Sequence, residues 1–188
     1  LLAGIAVSAF GAAAMSIIIS MSDLAGTRSV SFWTTGSFSL SNWSGVNSMW
    51  PAIAIGLILA FFLAPSLDLL ALGDEGAYAS GVAVSRVRAL ALLAAVLLTA
   101  AGVAVVGVIA FVGLVVPHAV RLVIGPSHRQ LLVVSAVGGA VVLLLADTIA
   151  RLALNPIEIP VGSVTAILGA PVFFVLLGRA RNRQGGWA

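Results

Sequence analysis

Few residues in this chain have side chains able to do chemistry, and their spacing rules out most of it. His118 is a candidate metal ligand or proton relay, but it lacks nearby acids or cysteines and the only other histidine is His128, so a capping or interfacial role accounts for it better. Cysteine is absent, which removes disulfides, thiol nucleophiles and cysteine metal sites. There is no Gly-rich Walker loop ending in lysine, no serine–histidine–acid set and no His-x-x-x-His pair. The chain therefore carries no catalytic residues and does not itself hydrolyse ATP. Asp147 and Arg151 are spaced to share one helix face and to pair. An acid at the edge of an apolar run is also a transport candidate in its own right.

Two stretches point to binding rather than catalysis. Leu70 to Gly81 (LALGDEGAYASG) combines glycines, small residues and two acids, a composition that lets a short helix turn sharply and lie close to another surface. It reads as a solvated loop or as a docking helix for a soluble partner. Glu158 to Phe174 opens with Pro160 and continues through Gly162, Thr165, Gly169 and Pro171. A helix that begins with such small residues either packs tightly against a neighbour or lines a pathway.

The elements that hold these residues must be membrane helices. Hydrophobic residues make up 61% of the 188-residue chain and charged residues 8%, against about 25% charged in ordinary soluble domains. Lipid makes a charged cover unnecessary. The pI of about 11.1 reflects nine basic residues against six acids. All nine are arginines, dispersed singly or in short clusters between apolar runs, as in membrane anchoring and not as in a phosphate-tracking surface. No nucleic-acid partner is expected.

A crossing helix needs about 20 apolar residues. Candidate spans are Leu1 to about Met21, about Pro51 to Ala64, about Leu131 to Ala146 and about Val161 to Leu177. Between the first two lies a polar, tryptophan-rich interfacial loop with one short amphipathic piece. Pro65 and Asp68 mark the exit of the second span, and Pro117 is placed to end or kink its own helix. The uncharged run Ala89–Pro117 is 29 residues, about 43 Å as one helix, which favours two spans with a turn near Gly107, the second ending near Arg121. Six spans with the tail inside put seven arginines (86, 88, 121, 129, 179, 181, 183) on the cytoplasmic side and Arg28 and Arg151 outside. Five spans split them six to three. Leu1 opens inside an apolar run without a methionine or basic leader, so further chain is expected upstream.

The run GVIAFVGLVVPHAVRLVIGPSHRQLL, then ADTIAR, then EIPVGSVTAILGAPVFFVLL resembles the C-terminal half of the permease subunits of iron-siderophore, haem and cobalamin ABC importers. LALGDEGAYASGV is similar to the cytoplasmic coupling region of that family. The resemblance covers nearly the whole chain, residues 1–188 read as one transmembrane domain with the coupling segment at 66–88. It implies an all-α, polytopic bundle supplying about six spans of a ten-span type II importer permease. That subunit pairs with a second copy or paralogue, with two cytoplasmic ATPase subunits that use the ATP, and with an extracytoplasmic binding protein. By the same resemblance, Leu72, Gly73, Ala77 and Gly81 couple to the ATPase and Arg151 meets an acidic residue of the binding protein. The pathway would be lined mainly by residues 1–21 and 161–178. Ser80 stands where the family often has leucine, and Val133–Val134 where a proline is frequent. The expected localisation is the bacterial cytoplasmic membrane, and the expected cargo a ferric siderophore, with haem or cobalamin as the alternatives. A reading from a different class is an ion-coupled secondary transporter, for which Asp147 is the available acid.

Overall fold

The computed structural model describes residues 2–21, 33–39, 41–153 and 159–183. Its principal helices are α1 (Leu2–Ser20), α2 (Trp43–Leu70), α3 (Asp74–Ala79), α4 (Val84–Val106), α5 (Val112–Ile124), α6 (His128–Ala153) and α7 (Val161–Arg183). No strand occurs among the described residues. Helices α2, α4 and α6 are long and apolar enough to cross a membrane, and shorter apolar helices cover Ala6–Ile17, Val112–Ile124 and Val161–Val175. The apolar runs therefore all fold as helices, as lipid requires of backbone that must satisfy its own hydrogen bonds.

Helix α2 is twice the length of the expected span at Pro51–Ala64. It starts at Asn42, whose Oδ1 accepts from the Gly45 amide at 2.7 Å, and runs through both Pro51 and Pro65 to Leu70. The tryptophan-rich residues before Pro51 form its first turns instead of a loop. Each proline removes one donor from the ladder, and the remaining bonds of a 28-residue helix carry the element past it. Pro65 is thus not an exit. Pro117 likewise sits inside α5, which continues to Ile124. The linker of the coupling segment shrinks accordingly: residues 66–70 belong to α2 and 84–88 to α4.

Gly56, Ala60 and Ala64 fall four apart on α2 and are buried, facing buried Val87, Ala94 and Ala101 of α4. A Cβ on Gly56 would lie 2.8 Å from Leu98 Cγ, and one on Gly45 3.1 Å from Val105 Cγ1. The contacts pair early α2 with late α4, so the two helices run antiparallel on a small-residue seam. The expected turn near Gly107 is present: α4 stops at Val106, Gly107 has φ 74°, and residues 107–111 lead into α5. Helix α6 exceeds the expected 131–146 at both ends because His128–Gln130 and Asp147–Arg151 are helical too.

At the far end of α6, Ala146 and Ala150 bury against Val161 and Val164 of α7, with Phe38, Leu143 and Ile159 around them. The chain thus alternates between two ends. One holds the close of α2, α3, the start of α4, the close of α5 and the start of α6. The other holds residues 33–38, the start of α2, Gly107, Arg151 and the start of α7. Helix α6, at 26 residues, separates the ends by about 39 Å. Helix α1 shares no extended contact with the other described helices and leaves Val7, Phe10 and Ile17 exposed.

Candidate functional site

At one end, α3 is a single short helix set between two glycines in the left-handed region, Gly73 at φ 100° and Gly81 at φ 79°. That conformation is cheap for glycine alone. Ala77 accounts for the seating of the helix: it is fully buried, and its carbonyl accepts from the Val82 amide at 3.0 Å. Leu72 and Tyr78 stand 73% and 61% exposed. Of the residues named for coupling, Gly73 and Gly81 therefore shape the turn, Ala77 anchors it from beneath, and Leu72 faces outward. Tyr78 and Glu75 share the exposed surface with Leu72. Sequence reasoning passed over them, although alternation around the buried Ala77 at helical spacing would have marked them. Asp74, in the first turn of α3, bonds Arg88 of α4 at 2.6 Å. Ser80, the departure from the family pattern, is exposed and returns its hydroxyl to the Gly76 carbonyl at 2.8 Å.

The same end holds a cluster that sequence reasoning did not assemble. Asp68 Oδ1 accepts from the backbone amide of His128 at 2.8 Å and from its ring Nδ1 at 2.6 Å. Arg121 Nη2 approaches the other ring nitrogen at 3.4 Å. The geometry fits a ring carrying its proton on Nδ1, donating to Asp68, with Nε2 accepting from Arg121. The start of α6 is thus capped by a carboxylate from the end of α2, 60 residues away. Arg129 stacks over the Phe61 ring at 4.8 Å. His118 is exposed, and no group of three or more metal-ligating side chains occurs among the described residues.

At the opposite end, Arg151 Nε donates to Asp147 Oδ2 at 2.8 Å, the pairing that the spacing indicates. Arg151 remains half-exposed there, at the terminus of α6. Arg28 and Glu158 lie outside the described residues. Beneath this end the small residues of α7 meet two other segments. The amide of Gly162 donates to the Gly36 carbonyl at 3.1 Å, and that of Val108 to the Trp33 carbonyl at 2.9 Å. A Cβ on Gly162 would fall 1.8 Å from the Thr35 carbonyl oxygen, and one on Gly169 2.5 Å from Phe111 Cβ. Thr165 is buried, its hydroxyl donating to the Gly162 carbonyl at 3.0 Å. Gly162, Thr165 and Gly169 therefore make close packing contacts, while Pro171 is exposed within α7. Phe111 adopts φ 67°, rare for a side-chain-bearing residue, and its ring lies 6.4 Å from that of Phe173. Below it, α5, α6 and α7 enclose an almost wholly apolar cleft of about 330 Å³ that reaches Val142 and Val172.

Stacked apolar helices, three of them long and apolar enough to cross a membrane, define a multi-pass helical membrane protein. The chain belongs to the FecCD transport family, whose model matches residues 1–179. It is 44% identical to the hemin transport system permease protein HmuU of Yersinia pestis, over 99% of this chain and 56% of that protein. It is 43% identical to the iron(3+)-hydroxamate import system permease protein FhuB of Bacillus subtilis, over 96% of this chain and 47% of that protein. Against the Fe(3+) dicitrate transport system permease protein FecD of Escherichia coli the identity is 49%, over 79% of this chain and 47% of that protein. The chain thus spans about half the length of the curated relatives it matches. Among solved structures it is similar to a metal-chelate type ABC transporter in an inward-facing conformation, with a TM-score of 0.85 and 35% identity, covering 95% of this chain and 58% of that one.

Proposed function

We propose that this chain is the later part of the permease subunit of an ABC importer that carries a ferric siderophore across the bacterial cytoplasmic membrane. One observation carries the reading: α3, held between Gly73 and Gly81 with Leu72 and Tyr78 outward, offers a soluble partner a small raised surface at the arginine-rich end of the bundle. A permease without nucleotide chemistry needs such a contact to receive work from separate ATPase subunits. Residues 66–88 form the coupling segment within a single transmembrane domain.

Arg151, at the other end, is the contact for an acidic residue of the extracytoplasmic binding protein. That protein selects the cargo, so the permease needs no dedicated ligand chemistry, and no cofactor is bound by this chain. A second permease copy or a paralogue completes the pathway, with α1 and α7 among its lining helices. The flank of α1, which makes no extended contact with the other described helices, is available for that pairing. Asp147, the acid on which an ion-coupled mechanism would rest, is engaged by Arg151, which favours the ATP-driven reading.

Haem is the second cargo to test, because the relative from Yersinia pestis is a hemin permease and the match extends over 99% of this chain. The complete subunit with its ATPase and binding protein is placed in cells lacking other chelate importers. These are offered a ferric hydroxamate, haemin and cobalamin in turn. Uptake of the ferric hydroxamate, with the other two unable to compete, is the expected result. Uptake of haemin or cobalamin alone overturns the siderophore assignment.

A further inference from the structure

The coupling segment is not attached to the bundle through its flanking helices alone. Three residues before Ala71, where α2 gives way to the turn, Asp68 accepts two hydrogen bonds from His128 through one oxygen, Oδ1. One of these comes from the backbone and so closes the otherwise open first turn of α6. The other comes from the ring, whose far nitrogen faces Arg121 in the last turn of α5. The carboxylate therefore joins the close of α2 to the α5–α6 corner. Helix α6 then runs from this corner to the packed contact between Ala146, Ala150 and α7.

We propose that Asp68 is a positioning residue for transport: it ties the coupling segment to the α5–α6 corner, so that displacement of α3 moves α6 and, through it, α7. Helix α2 otherwise reaches α6 through apolar packing and the stack of Arg129 on Phe61. Without this tie, force applied at Leu72 and Tyr78 therefore passes mainly to α2 and to α4, which α3 meets through Asp74 and Arg88, and less of it reaches the pathway side of the bundle. A charge-assisted bond to a helix start suits this task because it is directional and stronger than a hydrogen bond between neutral groups. The inference rests on the importer reading above.

The test uses the complete subunit with its ATPase and binding protein in proteoliposomes, supplied with a ferric hydroxamate. ATP hydrolysed and chelate taken up are read in the same vesicles. Asp68→Ala is expected to keep ATP hydrolysis while lowering chelate moved per ATP by at least about tenfold, the scale of one lost charge-assisted bond. Asp68→Asn keeps an oxygen that accepts from both His128 donors, and is expected to restore most of that ratio. An unchanged ratio in Asp68→Ala overturns the proposal, since a residue that only stabilised the fold would alter protein amount and melting temperature but not the ratio. Should Asp68→Ala fail to reach the membrane, His128→Ala carries the test, because it keeps the backbone bond and loses the ring contacts. A fall in its ratio of about twofold or more supports the tie, and an unmoved ratio refutes it. Wild-type uptake that proceeds without ATP hydrolysis refutes the importer reading itself, whatever Asp68 does.

Discussion

Gly162 is the residue on which the upper packing of α7 turns. Its missing side chain lets the Thr35 carbonyl approach to a point where a Cβ would overlap it at 1.8 Å. Gly162→Ala must push two backbones apart and is expected to cost about 1–3 kcal/mol, seen as a lower melting temperature of the purified subunit in detergent. Gly102, in α4, has nothing within 4 Å of the position its Cβ would take. Gly102→Ala is therefore expected to be neutral, or stabilising by up to about 1 kcal/mol through helix propensity. Equal effects of the two substitutions would remove the distinction between packing and open glycines. Arg151 allows a similar separation. Its pair with Asp147 is half-exposed on the arginine side, so the loss of that pair in Arg151→Ala is expected to cost no more than about 0.5 kcal/mol. If the residue docks the binding protein, the same change weakens that complex markedly in a pull-down or titration. Binding at wild-type affinity would remove the docking role.

At the scale of elements, α3 separates positioning from contact. Ala77 is fully buried and Tyr78 largely exposed. Ala77→Leu overpacks the seat of the helix and is expected to cost about 1–3 kcal/mol. Tyr78→Ala is expected to leave the melting temperature unchanged while reducing ATPase binding and stimulation. If both variants stimulate the ATPase normally, α3 is not the coupling element. The same helix shows what the sequence makes legible. The glycines at 73 and 81 and the small residues between them leave a solvated loop and a sharply turned helix both open from local composition, and the structure has the helix. The break near Gly107 follows from a 29-residue uncharged run too long for one crossing. Helix ends are less legible: Pro65 reads as a terminus in isolation, yet the ladder on either side carries α2 past it. Nothing local announces the bond between Asp68 and His128, whose partners meet only once three helices have folded back. The positive φ of Phe111 is equally silent, since phenylalanine carries no conformational marker as glycine does. The contacts of Gly162 and Gly169 with Thr35 and Phe111 likewise depend on the tertiary fold, and the composition of α7 alone leaves packing and pathway open.

For the molecule as a whole, the alternation of helices puts Arg86, Arg88, Arg121 and Arg129 at the end that carries α3, and Arg151 at the end that carries the start of α7. Basic residues favour the cytoplasmic side, so the α3 end is expected to face inward. The 188 residues contain no cysteine, which simplifies a labelling test. Single cysteines at Glu75 or Gln130 are expected to resist an impermeant thiol reagent added to intact spheroplasts, and one at Leu152 to react. The reverse pattern would invert the topology and separate α3 from any cytoplasmic ATPase. Work delivered from ATP to this bundle through α3 is the central step of the proposed transport. Its most direct measurement is uptake of a ferric chelate into proteoliposomes containing the complete subunit, its binding protein and its ATPase, with ATP inside or withheld. Uptake is expected to require hydrolysable ATP and to disappear with a hydrolysis-deficient ATPase. Equal uptake without ATP, driven by an ion gradient alone, would contradict that step.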